Sequence, residues 1–332
     1  MTQGRLAEVA QEQTWPGFLR GTALFVCLTA VLWSAFEYAN LRFPYIRPGS
    51  DLVHDLKTDV LSRAAIFHPD AKLRVLAFGD SRMMAGFRPD YFAAALGPGT
   101  EAYNFGLPSD RQFVGLLQKI MASGTRPTHI LLQLPWSPGP SAPAAIDWLT
   151  DDERIVLTLA PFKYLPRNLL AFALSARGEG WGRAYDANRQ SVAGVAANRG
   201  WYFIKSQSLY PGDALPPDFR LPRDKPNLHA PRRYSTSAWE WTVLRGLALK
   251  YRFSVFLIPP AYRERAYAPT GQGDDREVTI SREPDVRVIG PDYYLLPPPD
   301  FSDPVHLNPS GSAAYSRRLA ELVRRHIGAA QR

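Results

Sequence analysis

Three short apolar runs constrain the fold more than anything else in the chain. Leu73–Phe78, Ala102–Phe105 and His129–Leu134 are too short for core helices and nearly free of polar breaks. Runs of this kind are strands buried on both faces. The segments between them carry helical signals. Pro89 suits a first turn, and Gly97 closes the stretch that ends at Leu96. From about Arg111 to Ser123, Phe113, Leu116, Leu117 and Ile120 recur at helical spacing before Gly124. Strand alternating with helix predicts a parallel sheet covered on both faces.

The rhythm breaks at about residue 137 and resumes after 235. The interval is rich in Pro, Arg and aromatic residues, and we read it as an insertion over the sheet edge. Helical pieces are expected near Ala144–Leu159 and Pro166–Ser175, followed by a poorly periodic stretch with Trp181, Tyr185, Trp201, Tyr202, Phe203 and Tyr210. A helix near Ala238–Tyr251 then leads into a fourth strand, Ser254–Ile258, which Pro259 and Pro260 stop. Val286–Ile289 is a candidate fifth strand. The last helix has Asn308 as its cap, Pro309 in its first turn, and Leu319, Leu322, Val323 and Ile327 on its apolar face.

Near the start, Gly21 to Phe36 contains no charge, with Arg20 before it and Glu37 after it. Counting Gly17-Phe18-Leu19 and Tyr38, the segment approaches the ~20 residues of a spanning helix. Trp15, Trp33 and Tyr38 suit the interfacial belt. No small-x-small cleavage site follows, so the expectation is an uncleaved signal anchor over residues 17–40. Residues 1–16 would be a cytoplasmic tail, 41–70 a stalk, and 71–332 the folded domain. Arg5 and Arg20 before the segment and Arg42 and Arg47 after it hardly decide orientation. The short tail and large following domain place the domain on the outer, periplasmic side of an inner membrane. The single cysteine, Cys27, lies inside this segment.

The net charge is +8, from 39 Lys and Arg against 31 Asp and Glu. The arginines are scattered, with no basic stripe interleaved with aromatics, which argues against nucleic acid. A basic surface suits an anionic envelope, an acidic polymer or a lipid surface. The histidines show no metal-ligand spacing and no Gly-rich phosphate loop is present, so neither metal nor cofactor is expected.

The chemistry lies at the two ends of the domain. Phe78-Gly79-Asp80-Ser81 sets a serine at the carboxyl edge of the sheet, where ligands of open α/β sheets bind. Asp303-Pro304-Val305-His306 supplies a carboxylate and an imidazole just before the last helix. Nucleophile, base and orienting acid are the minimum set for acyl chemistry. With Leu307-Asn308 following His306, these motifs resemble the SGNH (GDSL-like) hydrolase superfamily from about residue 71 to the end. The resemblance implies a three-layer α/β/α sandwich with a mostly parallel sheet. It makes Ser81 the nucleophile, His306 the general base and acid, and Asp303 the group that orients the imidazole.

The family also implies oxyanion donors: the nucleophile's own N–H, a glycine in a second block and an asparagine in a third. In Tyr103-Asn104-Phe105-Gly106-Leu107-Pro108-Ser109-Asp110 the glycine position falls on Ser109, with Gly106 as the alternative. The third block is absent: strand three ends Leu132-Gln133-Leu134-Pro135-Trp136-Ser137, leaving Gln133 or Ser137 as replacements. Arg82, Asn104 and Gln133 are the candidate substrate-binding side chains. Arg82 is read either as a ligand for an anionic substrate or as a salt bridge that fixes the turn. Trp181, Trp201, Tyr202, Trp239 and Trp241 are read either as sugar-stacking platforms or as cover for the sheet.

Anchor and missing block together are similar to the membrane-anchored branch that moves acyl groups onto envelope polysaccharides. That similarity implies a multi-spanning O-acyltransferase partner and a polysaccharide acceptor. The same residues would serve a membrane-tethered carbohydrate esterase, and the missing block also fits a non-catalytic scaffold.

Overall fold

The computed structural model describes residues 3–47, 52–53, 56–57, 59–61, 65–107, 113–133, 162, 164–178, 180–202, 239–264, 286–291, 293–303 and 305–329. In chain order the elements are α1 (Gln3–Arg42), β1 (Leu73–Phe78), α2 (Ser81–Gly86), α3 (Pro89–Leu96), β2 (Thr100–Asn104), α4 (Phe113–Ala122) and β3 (His129–Gln133). There follow α5 (Leu165–Ser175), α6 (Trp181–Ala197), α7 (Trp239–Tyr251), β4 (Ser254–Ile258), β5 (Ala261–Arg263), β6 (Val286–Val288), β7 (Tyr294–Leu296) and α8 (Pro309–Ala329).

The chain divides into two units. One combines residues 1–47 with 145–184, and the other combines 48–144 with 185–332. The first is built on α1. Its stretch Trp15–Arg42 is 28 residues long, and its most apolar 18-residue window has a mean hydropathy of 1.6 with none of it buried. At 1.5 Å per residue it reaches ~42 Å, more than the ~30 Å hydrocarbon core of a bilayer. It is long and apolar enough to cross a membrane. In the same unit Phe162 packs on Trp33 and Phe36, with ring centroids 4.9 and 5.5 Å away.

The second unit is an α/β fold around a five-stranded sheet in the order β2-β1-β3-β4-β6, with every pairing parallel. Strand residues alternate between two apolar clusters, as the two-residue period demands. Leu76, Phe78, Ile130, Leu132, Val255 and Leu257 meet α4 and α7 on one face. Val75, Ala77, Leu131, Phe256 and Ile258 meet α2, α3 and α8 on the other. On α8, Tyr315, Leu319, Leu322 and Val323 are fully buried, and each such side chain contributes roughly 1.5–3 kcal/mol. A separate parallel pair joins β5 to β7.

Two boundaries differ from the sequence expectation. The segment expected to be a stalk is part of the fold: Leu52, Val53, Lys57, Ile66 and Phe67 are buried, and the compact unit begins at Pro48. The poorly periodic stretch is partly helical, because α6 runs from Trp181 to Ala197. The helix expected near 144–159 and the aromatic residues Phe203 and Tyr210 lie outside the described residues.

Strand order positions the site. β1 lies between β2 and β3, so the chain reverses its direction of winding there. In open parallel sheets ligands bind outside the carboxyl ends of strands at such a switch point. Phe78 pairs with Leu132, one residue before Gln133. The ends of β1 and β3 therefore open on the same crevice.

Candidate active site

The chain leaves β1 through Gly79 and Asp80. A Cβ at Gly79 would lie 2.7 Å from Met83 Cβ and 2.9 Å from Gln133 Cβ, so only glycine passes between α2 and β3. Asp80 caps α2 by accepting the Arg82 backbone N–H at 2.9 Å. Ser81 is the first residue of α2, so its own N–H is one of the donors that a helix start leaves without an intrahelical partner.

The opposing wall is the loop before α8. It is pinned by the bridge Phe301–Leu307 and by the Ser302 N–H donating to the His306 carbonyl at 2.9 Å. Asn308 Oδ1 then accepts the Gly311 N–H at 2.9 Å and caps α8. Within this loop Asp303 Oδ1 accepts the backbone N–H groups of Val305 and His306, both at 2.8 Å. Its Oδ2 lies 2.6 Å from His306 Nδ1. His306 Nε2 reaches Ser81 Oγ at 2.9 Å.

Residues 225 positions apart are thus joined in one hydrogen-bonded chain. With Nδ1–H donating to Asp303, Nε2 is left to accept the Ser81 proton. Burial would raise the Asp303 carboxyl, but His306 and the two backbone donors outweigh it and hold it below the ordinary carboxylate range. Asp303 is therefore an anion at neutral pH, able to orient the imidazole and stabilise its protonated form. This is the geometry that a serine nucleophile needs.

The remaining candidates are distributed differently. Arg82 is committed to Asp80, with Nη2 2.5 Å from Oδ2, and donates to the Tyr262 hydroxyl at 3.2 Å. Burial lowers its pKa, and Asp80 with Tyr262 more than reverses that. Of the two readings of Arg82, the structure shows the salt bridge that fixes the turn. Asn104 is fully buried. Its Nδ2 donates to the carbonyls of Met83, Met84 and Phe87 at 2.9, 3.2 and 2.7 Å. It ties β2 to the end of α2 and presents no donor to a substrate, which corrects its assignment as a substrate ligand.

Gly106 is corrected in the same way. Its N–H donates to Asn104 Oδ1 at 2.8 Å, so it is not aimed at an oxyanion. Its lack of a side chain has another cause, because a Cβ there would lie 2.5 Å from the Met84 backbone nitrogen. Ser109 and Ser137 lie outside the described residues. Gln133 is buried at the end of β3, and its Oε1 has no hydrogen-bond partner among the described residues. Trp201 and Tyr202 are buried under α2: Trp201 Nε1 donates to the Ala85 carbonyl at 2.7 Å and the Tyr202 N–H to Met84 at 3.2 Å. For these two the structure shows cover rather than an open platform. The side chains of Trp239 and Trp241 are not among those described.

Sequence reasoning missed Lys57. Fully buried, it donates from Nζ to the Gly106 carbonyl at 2.7 Å and so braces the loop after β2. The signal was present: with Val53, Leu56 and Val60, position 57 falls on the apolar face of the helical pattern. Among the described residues, no group of three His, Cys, Asp or Glu side chains is arranged to hold a metal ion. Comparison of the chain with protein-family models, with curated proteins and with solved structures finds no match.

Proposed function

We propose that this chain is the membrane-anchored, SGNH-type serine acyltransferase component of an envelope polysaccharide-modifying system. Its folded unit would be a three-layer α/β/α sandwich of that superfamily. The observation that carries the reading is the hydrogen-bonded series Ser81 Oγ, His306 Nε2 and Nδ1, and Asp303 Oδ2, at 2.9 and 2.6 Å. The apolar helix Trp15–Arg42 supports an anchor, with the site on the periplasmic side of the inner membrane.

The chemistry runs in two half-reactions. His306 takes the Ser81 proton as Oγ attacks the acyl carbonyl of the donor, the acetyl group being the first candidate. The donor's bond to the acyl carbon breaks, and His306 gives the proton to the leaving group. A sugar hydroxyl then attacks the acyl-serine while His306 takes its proton, and the proton returns to Ser81 as the new ester leaves. Asp303 remains ionised throughout and stabilises each imidazolium. A multi-spanning O-acyltransferase would supply the donor.

The test is turnover of p-nitrophenyl acetate by the full-length protein in detergent micelles, with and without oligosaccharide acceptors, beside Ser81→Ala. Release of p-nitrophenol that depends on Ser81, with acetyl mass added to the oligosaccharide, is the expected result. Ser81-dependent release with free acetate alone would make the protein a tethered carbohydrate esterase. A Ser81→Ala chain that restores polysaccharide acylation in a deletion strain as well as wild type would leave only a scaffold.

A further inference from the structure

Helix α5 is apolar on the side that faces away from its own packing. Leu165, Asn168, Phe172 and Ala176 are spaced three and four apart and form its buried stripe. Opposite that stripe stand Leu170 and Leu174, 64% and 49% exposed, with Leu169 on the flank at 37%. A helix at a water-facing surface carries charge there. The one charged side chain of α5, Arg167, lies at its start and folds back, with its guanidinium 4.5 Å from the Tyr164 ring centroid and bonded to Asn168 Oδ1 at 3.2 Å. Just beyond the helix Trp181 is 54% exposed. A helix face that is apolar where it is exposed is covered by something that is not water.

What covers it is indicated by the rest of the same unit. Phe162, just ahead of α5, packs on Trp33 and Phe36. The helix itself packs against the turn Pro44–Ile46 that follows α1. It is thereby fastened to the end of the apolar stretch where Trp33, Tyr38 and Arg42 stand, the residue types that mark the level of the lipid headgroups. With 11 residues it is ~16 Å long, too short to cross a bilayer. Its length, the single charge at its start and its place beside the end of a spanning helix suit an element lying in the interface. Arg177 and Arg183, both exposed, follow it in sequence and are the residue type that attracts anionic headgroups.

We propose that α5 lies in the membrane interface, with Leu169, Leu170 and Leu174 among the acyl chains, as a second contact with the bilayer that α1 crosses. The contact rests on α1 as the anchor and is independent of the chemistry at Ser81. It makes this part of the insertion between β3 and α7 a membrane-facing element.

The test uses the full chain carrying Cys27→Ala, with Leu170→Cys or Leu174→Cys labelled by a nitroxide. The protein is reconstituted in vesicles of phosphatidylethanolamine and phosphatidylglycerol. Both substitutions are at exposed positions. Molecular oxygen concentrates among acyl chains, and a water-soluble nickel chelate stays outside. At both positions oxygen collisions should exceed nickel collisions, and nickel access should fall several-fold below that at Leu249→Cys, an exposed leucine on α7. Nickel access equal to that of Leu249→Cys would overturn the proposal by placing the face in water. Low access to both quenchers would overturn it too, by placing a second copy of the chain over the face.

Discussion

Asp303 uses its two oxygens differently. One is saturated by the backbone of its own loop and fixes the carboxylate, while the other meets His306. Asparagine in its place keeps the loop but offers the imidazole an amide, which favours the wrong tautomer. Asp303→Asn should therefore lower turnover by roughly 10⁴-fold with little change in KM. Equal turnover would remove Asp303 from the site. A second titrating residue reports on the fold instead. His129, at the start of β3 beside Phe256, is pushed down by burial from 6.5 to about 4. The unfolded chain takes up a proton near pH 6.5 that the folded chain accepts only near pH 4. Stability attributable to His129 is thus complete above that interval and falls as the pH drops through it, by on the order of 3 kcal/mol. His129→Gln should flatten the decline in urea-unfolding free energy between pH 6.5 and about 4. Parallel curves for variant and wild type would refute the assignment.

At the scale of elements, the helix that carries Ser81 is held from below. Asn104 gathers three carbonyls of the α2 turn, Trp201 takes a fourth, and Gly106 lets the backbone of β2's exit loop run against Met84. Gly106→Ala keeps the N–H but forces a methyl group into the Met84 backbone. We expect a loss of about 1–3 kcal/mol in stability together with a fall in kcat as Ser81 shifts against His306. Unchanged melting temperature and kcat would show that the contact yields freely. Elements with strong punctuation were legible. β1 and β4 are apolar runs read at their observed limits, α3 is bracketed by Pro89 and Gly97, and the start of α8 is marked by Asn308 and Pro309. Helix α2 was not, since six residues cannot display a helical period. The three-residue strands β5 and β7 were too short for alternation to show. In the site, Ser81, Asp303 and His306 could be read from motif spacing. Asn104, Gly106 and Arg82 were named as ligands because spacing gives proximity but not the direction in which a donor points.

At the scale of the whole molecule, the main misreading was where the folded unit begins. Pro44 and Arg47-Pro48-Gly49-Ser50 look like a linker, and the lysine and aspartates that follow look solvated. Burial is decided by what packs on top, and here the segment supplies Leu52, Val53, Lys57, Ile66 and Phe67 to the interior. Each of the four apolar side chains contributes roughly 1.5–3 kcal/mol, a sum comparable with the whole stability of a domain at about 5–15 kcal/mol. Without Lys57 the Gly106 carbonyl also loses its partner, and an unmet buried acceptor costs about 1–3 kcal/mol more. A chain beginning at Pro48 should therefore unfold cooperatively on heating, and one beginning at Ala71 should show no cooperative transition. Calorimetry of the two truncations decides it. Matching transitions would mean that residues 48–70 only decorate the fold, and that the brace on the loop after β2 is dispensable.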